Sequence, residues 1–278
     1  MPVFHTIAAL RAALKPLRDG GIAMVPTMGA LHAGHVSLVT QAKNHAATVV
    51  VSIFVNPTQF APGEDFDAYP RTLEADIAKL PADTIVFAPS AREMYPDGYA
   101  TTVSVGGPSQ GLESDFRPHF FAGVATVVSK LLIAAAPDVA MFGEKDYQQL
   151  LVVHHMVRDL GLPVTIMPVP TMRETDGLAM SSRNAYLSAQ DRTVAAQMNL
   201  ILQDAIVAVR SHGDMARAQK DASDALLKAG FAQVDYVAIR DAQTLAPITT
   251  LERPARILAA AKIGKTRLID NMAISKQA

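Results

Sequence analysis

The sequence predicts an α/β protein, a doubly wound, Rossmann-like parallel sheet followed by a smaller C-terminal α+β domain. Three observations carry that reading. Short apolar runs alternate with helical patterns through the first part of the chain, which is how consecutive βαβ units read. Half of the residues are apolar but only 6% are aromatic and none is Trp, so the core is built from Ala, Val, Leu and Ile. Such a core suits helices packed on a parallel sheet, whose buried strands are continuous apolar runs. Beyond "LSAQD" the pattern changes to two long helical stretches followed by adjacent strand-like runs.

In chain order, "GIAMVP" and "ATVVVSIFV" are largely apolar and read as buried strands, with the helical pattern "HVSLVTQAKNHA" between them. "RTLEADIAKL" reads as a helix before the strand "TIVFAP". "FAGVATVVSKLLIAAA" reads as a helix before the strand "DVAMFG". "KDYQQLLVVHHMVRDLG" reads as a helix before the strand "VTIMPVP". After the change of pattern, "QDRTVAAQMNLILQDAIVAVRSHG" and "MARAQKDASDALLKAG" read as helices, and "VDYVAIRD", "ARILAAAKIG" and "TRLIDNMAI" as strands of an antiparallel sheet. The expected boundary divides residues 1–172 from residues 173–278.

Composition excludes several classes of function. A formal net charge of −1 leaves no global field to recruit nucleic acid or an anionic membrane, so a nucleotide needs a local site. No Cys is present, which removes disulfides, thiolate zinc sites and a Cys nucleophile. The opening "MPVFHTIAALRAALKPLRDG" has basic side chains in an amphipathic pattern and no uninterrupted apolar signal region. Pro or charges break every apolar run before it reaches the length of a membrane span. A soluble, cytoplasmic protein without nucleic-acid or membrane partners is the expectation.

Parallel sheets bind ligands beyond the carboxyl ends of their strands. Four such ends carry the polar and glycine-rich segments: Pro26 to His35, Asn56 to Phe60, Gly143 to Asp146, and Thr171 to Arg183. Gly29 and Gly34 have the spacing of a phosphate-binding loop, but His35 and Val36 stand where that loop needs Lys and then Ser or Thr. The alternative is an anion site at a helix N-terminus, where free N–H groups and the helix dipole favour negative charge. His32 and His35, three apart, share one face of that first turn and can donate to phosphate oxygens. Asn56, Thr58 and Gln59 offer neutral amides and a hydroxyl, which suit hydroxyls and a carboxylate. Lys145 is a point charge suited to phosphate, flanked by Glu144 and by Asp146, an oxygen donor able to hold Mg²⁺, with Gln149 a turn further on. Arg173, Ser181, Ser182 and Arg183 would suit a polyphosphate, with Gly177 as a hinge. His5, His45, His154, His155 and His212 read as structural. Each segment alone reads equally as a turn, a charged cap or a linker. Their convergence on strand ends carries the inference. With no carboxylate couple and no nucleophile elbow, ATP-driven chemistry through positioning and charge neutralisation fits this set.

The segment "PTMGALHAGH" resembles the HIGH-type motif of the nucleotidyltransferase superfamily, in the form found in pantothenate synthetases. The similarity extends, in order, to "FVNPTQF", "DFDAYPRT", "FGEKDYQQL" and "DGLAMSSRN", with "DYVAIRD" also similar. The resemblance implies ATP-dependent condensation of pantoate with β-alanine through a pantoyl adenylate, with ATP as substrate and Mg²⁺ as its companion. It assigns ATP to Met28, Gly29, Ala30, Leu31, His32, Ala33, Gly34 and His35. ATP is further assigned to Gly143, Glu144, Lys145, Asp146, Met172, Met180, Ser181, Ser182 and Arg183. Pantoate falls to Gln59 and Gln149, and β-alanine to Gln59. His35, His32 and Lys145 are the expected catalytic residues, and no metal ligand is assigned. The resemblance also implies that residues 1–172 bind ATP and pantoate, that residues 173–278 form a lid, and that the enzyme is a homodimer. Phe120 occupies the family's usual His position with His119 beside it, and Met172 stands where Val is common. The competing readings are another HIGH-motif nucleotidyltransferase and a non-catalytic nucleotide-binding module.

Overall fold

The computed structural model describes residues 1–61 and 63–275, in two compact units. The first comprises Met1–Glu144 and Gln149–Pro170, the second Lys145–Gln148 and Thr171–Ala278.

In the first unit the chain order is β1 (Val3–Phe4), α1 (Ile7–Leu14), β2 (Ile22–Thr27), α2 (Ala33–Ala42), β3 (Thr48–Ile53), α3 (Leu73–Ile77) and β4 (Ile85–Phe87). It continues with α4 (Ala91–Met94), α5 (Glu113–Phe116), α6 (Phe120–Ala135), β5 (Val139–Gly143), α7 (Tyr147–Asp159) and β6 (Thr165–Val169), α7 starting in the Lys145–Gln148 segment of the second unit. The strands form one sheet in the order β1-β4-β3-β2-β5-β6, and every pairing is parallel. This is the predicted doubly wound class; the two-residue β1 at its edge was not among the expected strands.

The chain steps outward from β2 through β3 to β4, then returns to β5 on the other side of β2. That reversal is the switch point where such sheets leave a crevice beyond the strand ends. All six residues of β2 pair with β3, but only Ala23 and Met24 pair with β5. Pro26 has no N–H with which to extend a second ladder, so β2 and β5 part early on the side of the crevice. Ala23, Val25, Val49 and Val51 join Leu38, Val39 and Ala42 of α2 in one core layer. Their sequence neighbours Ile22, Met24 and Val50 are equally buried on the opposite face, as the period of two requires.

In the second unit, α8 (Ala189–His212) and α9 (Met215–Ala229) precede β7 (Gln233–Asp241), β8 (Ala255–Ile263) and β9 (Thr266–Ile274). The three strands form an antiparallel sheet, β7-β8-β9. Ser188 and Asp214 cap the two helices by accepting from Asp191 N and Arg217 N. Gly213 and Gly230 end them in the left-handed conformation. Leu202, Ile206, Val209 and Leu226 of the helices share a core with Ile257, Ala259, Leu268 and Ile274 of the sheet. No helix among the described residues is long and apolar enough to cross a membrane.

Candidate active site

The loop after β2 turns sharply at Gly29 and Ala30, whose φ angles are 86° and 50°. Only glycine adopts such angles freely, so Ala30 has to be held there. A buried carboxylate holds it: Asp76 of α3 accepts from Ala30 N at 2.9 Å and Leu31 N at 2.7 Å. Lys79 Nζ, 3.8 Å from the same carboxylate, donates to Leu31 O at 2.7 Å. An added Cβ at Gly29 would come within 3.1 Å of Asp76 Oδ2, so this position also needs glycine for space.

His32 then caps α2. Its Nδ1 accepts from Gly34 N at 3.2 Å, and His35 Nδ1 accepts from His32 N at 3.3 Å, a reciprocal capping box made by two imidazoles with ring centroids 4.1 Å apart. An imidazole nitrogen that accepts carries no proton, so in the neutral ring the proton sits on Nε2. Both histidines are thereby set as Nε2–H donors at the positive end of a helix. Met28, Ala33 and Gly34 complete the segment that the resemblance assigns to ATP.

The loop after β3 is built from neutral groups. Asn56 is fully buried; its Nδ2 donates to Gln59 Oε1 at 2.9 Å and to Gly123 O at 3.3 Å. Asn56 Oδ1 accepts from Tyr95 Oη at 2.6 Å and from Thr58 Oγ1 at 3.0 Å. Burial pushes the Tyr95 phenol above its ordinary pKa, keeping it a donor. Asn56, read from sequence as a substrate amide, is therefore engaged inside the protein. Gln59 is buried in a 3₁₀ turn at Pro57–Gln59, and because its carbonyl oxygen accepts from Asn56, its amide is left to act as a donor. Gly123 of α6 makes this loop possible, since a Cβ there would lie 2.3 Å from Thr58 O. Arg117 closes the same region, donating to Gln59 O at 2.9 Å and to both Glu64 oxygens at 2.7 Å. Its guanidinium lies 3.9 Å from the Phe120 ring centroid, so the aromatic residue in the family's His position stacks on arginine.

Beyond β5, Gly143 and Glu144 lead into a 3₁₀ turn, Glu144–Asp146, and then α7. A Cβ at Gly143 would meet no protein atom within 4 Å, so packing within the protein does not demand glycine there. Gln149 is half-buried in the first turn of α7, after β5, which flanks β2 on the side opposite to β3, the strand that Gln59 follows. Both glutamines thus lie past the carboxyl ends of strands flanking β2. His155, on the same helix, has burial and the nearby Arg158 holding its pKa below the ordinary value, and it faces Gly107.

Lys145, Asp146 and the segment from Met172 to Arg183 belong to the second unit. Lys145 Nζ is 3.8 Å from Asp146 Oδ1. Residues 172–180 form a short hairpin: Met180 N donates to Met172 O, Glu174 N to Leu178 O, and Gly177 turns with φ 88°. The expected hinge Gly177 is packed, since a Cβ there would lie 2.1 Å from Asn199 Nδ2. Arg173 is engaged too, in a bidentate pair with Asp270 at 2.7 and 2.9 Å, which turns its charge inward rather than toward a polyphosphate. Met180 is followed by Ser181, which caps the 3₁₀ turn Ser182–Tyr186 by accepting from Arg183 N at 3.3 Å.

Asp76, Gly123, Asp270 and Asn271 hold these segments, and none was picked out from sequence. One signal was available for Asp76. Leu73, Asp76, Ile77 and Leu80 have the spacing of a buried helical face, where a carboxylate is out of place unless paired.

The chain matches the sequence profile of the family Pantoate-beta-alanine ligase over residues 2–273. It is 55% identical to the pantothenate synthetase of Bradyrhizobium sp. (strain BTAi1) over 98% of both chains. It is also 55% identical to that of Mesorhizobium japonicum, over 97% of this chain and 96% of the other. The pantothenate synthetase structure from Thermus thermophilus superposes with a TM-score of 0.92 at 46% identity, covering 98% and 99% of the chains. A pantoate-beta-alanine ligase structure from Francisella tularensis, complexed with beta-gamma ATP and beta-alanine, gives 0.82 at 35% identity, covering 98% and 97%.

Proposed function

Because the chain belongs to the pantoate–β-alanine ligase family, we propose that it joins pantoate to β-alanine through an enzyme-bound pantoyl adenylate. The overall reaction is an ATP-dependent amide ligation, and the need for activation is chemical. A carboxylate is a poor acyl donor, whereas its mixed anhydride with AMP has a good leaving group. A pantoate carboxylate oxygen attacks the α-phosphorus of ATP and pyrophosphate departs. The β-alanine amine then attacks the acyl carbon, loses a proton to solvent, and expels AMP.

The observation that carries this reading is the double-histidine cap on α2, in which the Nδ1 atoms of His32 and His35 both accept backbone N–H groups at the helix N-terminus. His32 and His35, with the ammonium of Lys145, stabilise the charge that grows on the phosphates during displacement. ATP is assigned to Met28–His35, Gly143–Asp146, Met172 and Met180–Arg183. Gln59 and Gln149 hold pantoate, and the amine of β-alanine arrives beside Gln59. Residues 1–172 bind ATP and pantoate while 173–278 form the lid. The enzyme works in the cytoplasm as a homodimer.

Mg²⁺ fits this donor set as a companion of ATP. Among the described residues no three His, Asp or Glu gather into a metal cage, and Mg²⁺ commonly keeps its waters and binds through substrate phosphates with one or two carboxylates. Asp146, half exposed next to Lys145, is the carboxylate placed to share it. The ion supplies charge neutralisation on the polyphosphate.

Pyrophosphate exchange tests the proposal. With pantoate, ATP and Mg²⁺ but no β-alanine, labelled pyrophosphate should enter ATP. Exchange that appeared only on adding β-alanine would replace the adenylate with a concerted reaction.

A further inference from the structure

We propose that Asp270 and Asn271, neighbours on β9, are positioning residues for adenylation, each fixing one of the two second-unit segments assigned above to ATP. The inference rests on that assignment. It starts from an anomaly in the strand. "TRLIDNMAI" places a carboxylate and an amide side by side, and both are buried, at 3% and 5% exposure. Burying such groups is unfavourable unless each finds a partner, and apolar residues would serve a sheet core better.

Successive residues of a strand point to opposite faces, so the two side chains reach different elements. Asp270 shares its face with Leu268 and Ile274, which are part of the core with α8 and α9. Its two oxygens accept from both terminal nitrogens of Arg173, and Arg173 also donates to Gly177 O at 3.0 Å. One guanidinium therefore ties the hairpin before Met180 to the strand, and β9 also packs on the Ser182–Tyr186 turn. On the other face, Asn271 Nδ2 donates to the backbone oxygen of Lys145 at 2.8 Å. The chain just after that lysine is held as well: Tyr147 Oη donates to Ala242 O at 2.7 Å and Arg256 stacks 3.7 Å from its ring centroid. Two consecutive residues of one strand thus tie the backbone at Lys145 and the hairpin that leads into Met180–Arg183 to the same strand. Misplacing a catalytic group by about 1 Å from a remote substitution costs up to ~10²-fold in rate.

The test uses the full-length enzyme and the variants Asn271→Ala, Asn271→Asp, Asp270→Asn and Arg173→Ala. Asn271→Ala should slow pantoate-dependent adenylation by about 10- to 100-fold and weaken ATP binding, while pantoate binding by calorimetry stays within about twofold. Asn271→Asp, which sets a carboxylate against the Lys145 carbonyl, should be no better than Ala. Asp270→Asn keeps the shape, guards against misfolding, and should fall between wild type and Arg173→Ala. The double variant Asp270→Asn/Arg173→Ala should be no worse than Arg173→Ala alone, because the two residues act as one link. Adenylation and ATP binding within about twofold of wild type in folded Asn271→Ala, or equal losses for pantoate and ATP, would overturn the proposal. If wild type itself fails to exchange pyrophosphate, the adenylate is wrong, and ATP calorimetry on the same variants still decides the positioning role.

Discussion

The loops that follow β2 and β3 leave neighbouring parallel strands, β2 and β3 being paired along all six residues of β2, yet opposite chemistry anchors them. Beneath the first is a buried charge, Asp76, gripping two backbone N–H groups and keeping Ala30 at positive φ. Beneath the second is a neutral amide, Asn56, with its donors on Gln59 and Gly123 and its oxygen on Tyr95 and Thr58. The anchoring differs but the outcome is the same. In each loop an internal contact engages an acceptor of a side chain proposed above to bind substrate, Nδ1 of the histidines and Oε1 of Gln59. The two substrates proposed for these loops, a polyphosphate and a carboxylate, call for donors.

Three substitutions break this comparison in turn. The largest effect is expected for His35→Ala, which removes one preorganised donor and one arm of the cap and should slow adenylation ~10²- to 10³-fold. Pyrophosphate exchange measures it, and a rate near wild type in a folded variant would return His35 to a capping role alone. Next is Asp76→Ala. It leaves the Ala30 and Leu31 N–H groups without their carboxylate and should cost about 2–4 kcal/mol in urea unfolding. ATP affinity should fall with it while pantoate affinity holds. If both ligands weakened together, the two loops would be one cooperative unit and the contrast between their anchors would dissolve. Smallest is Gly123→Ala, where the new methyl meets the backbone of Thr58; overpacking of this kind costs about 1–3 kcal/mol. Calorimetry should show the reverse selectivity, with weaker pantoate binding and ATP binding unchanged. Loss of ATP affinity there would mean that α6 supports the histidine loop as well.

The sequence by itself determined the class of the fold, the order of nearly every element and the four strand-end segments. Apolar runs such as "TVVVSI" are buried on both faces whatever their neighbours, and the helix caps at Ser188, Asp214, Gly213 and Gly230 are local chemistry. The pairing of His32 with His35 was legible for the same reason, since three residues on a helix turn are neighbours in any fold. What only the tertiary structure decided lies at long sequence separation. It placed β2 at the centre of the sheet, brought Asp76 to a loop some 45 residues earlier, set Gly123 against Thr58, and joined Asn271 to Lys145 across 126 residues. It also reassigned Asn56 and Arg173, which as isolated letters are ligand-binding groups, to partners inside the protein. A polar side chain carries the same donors and acceptors in a turn, a cap or a site. Which of them remain for a substrate depends on what the rest of the chain has already bonded, and that is a property of packing rather than of spacing.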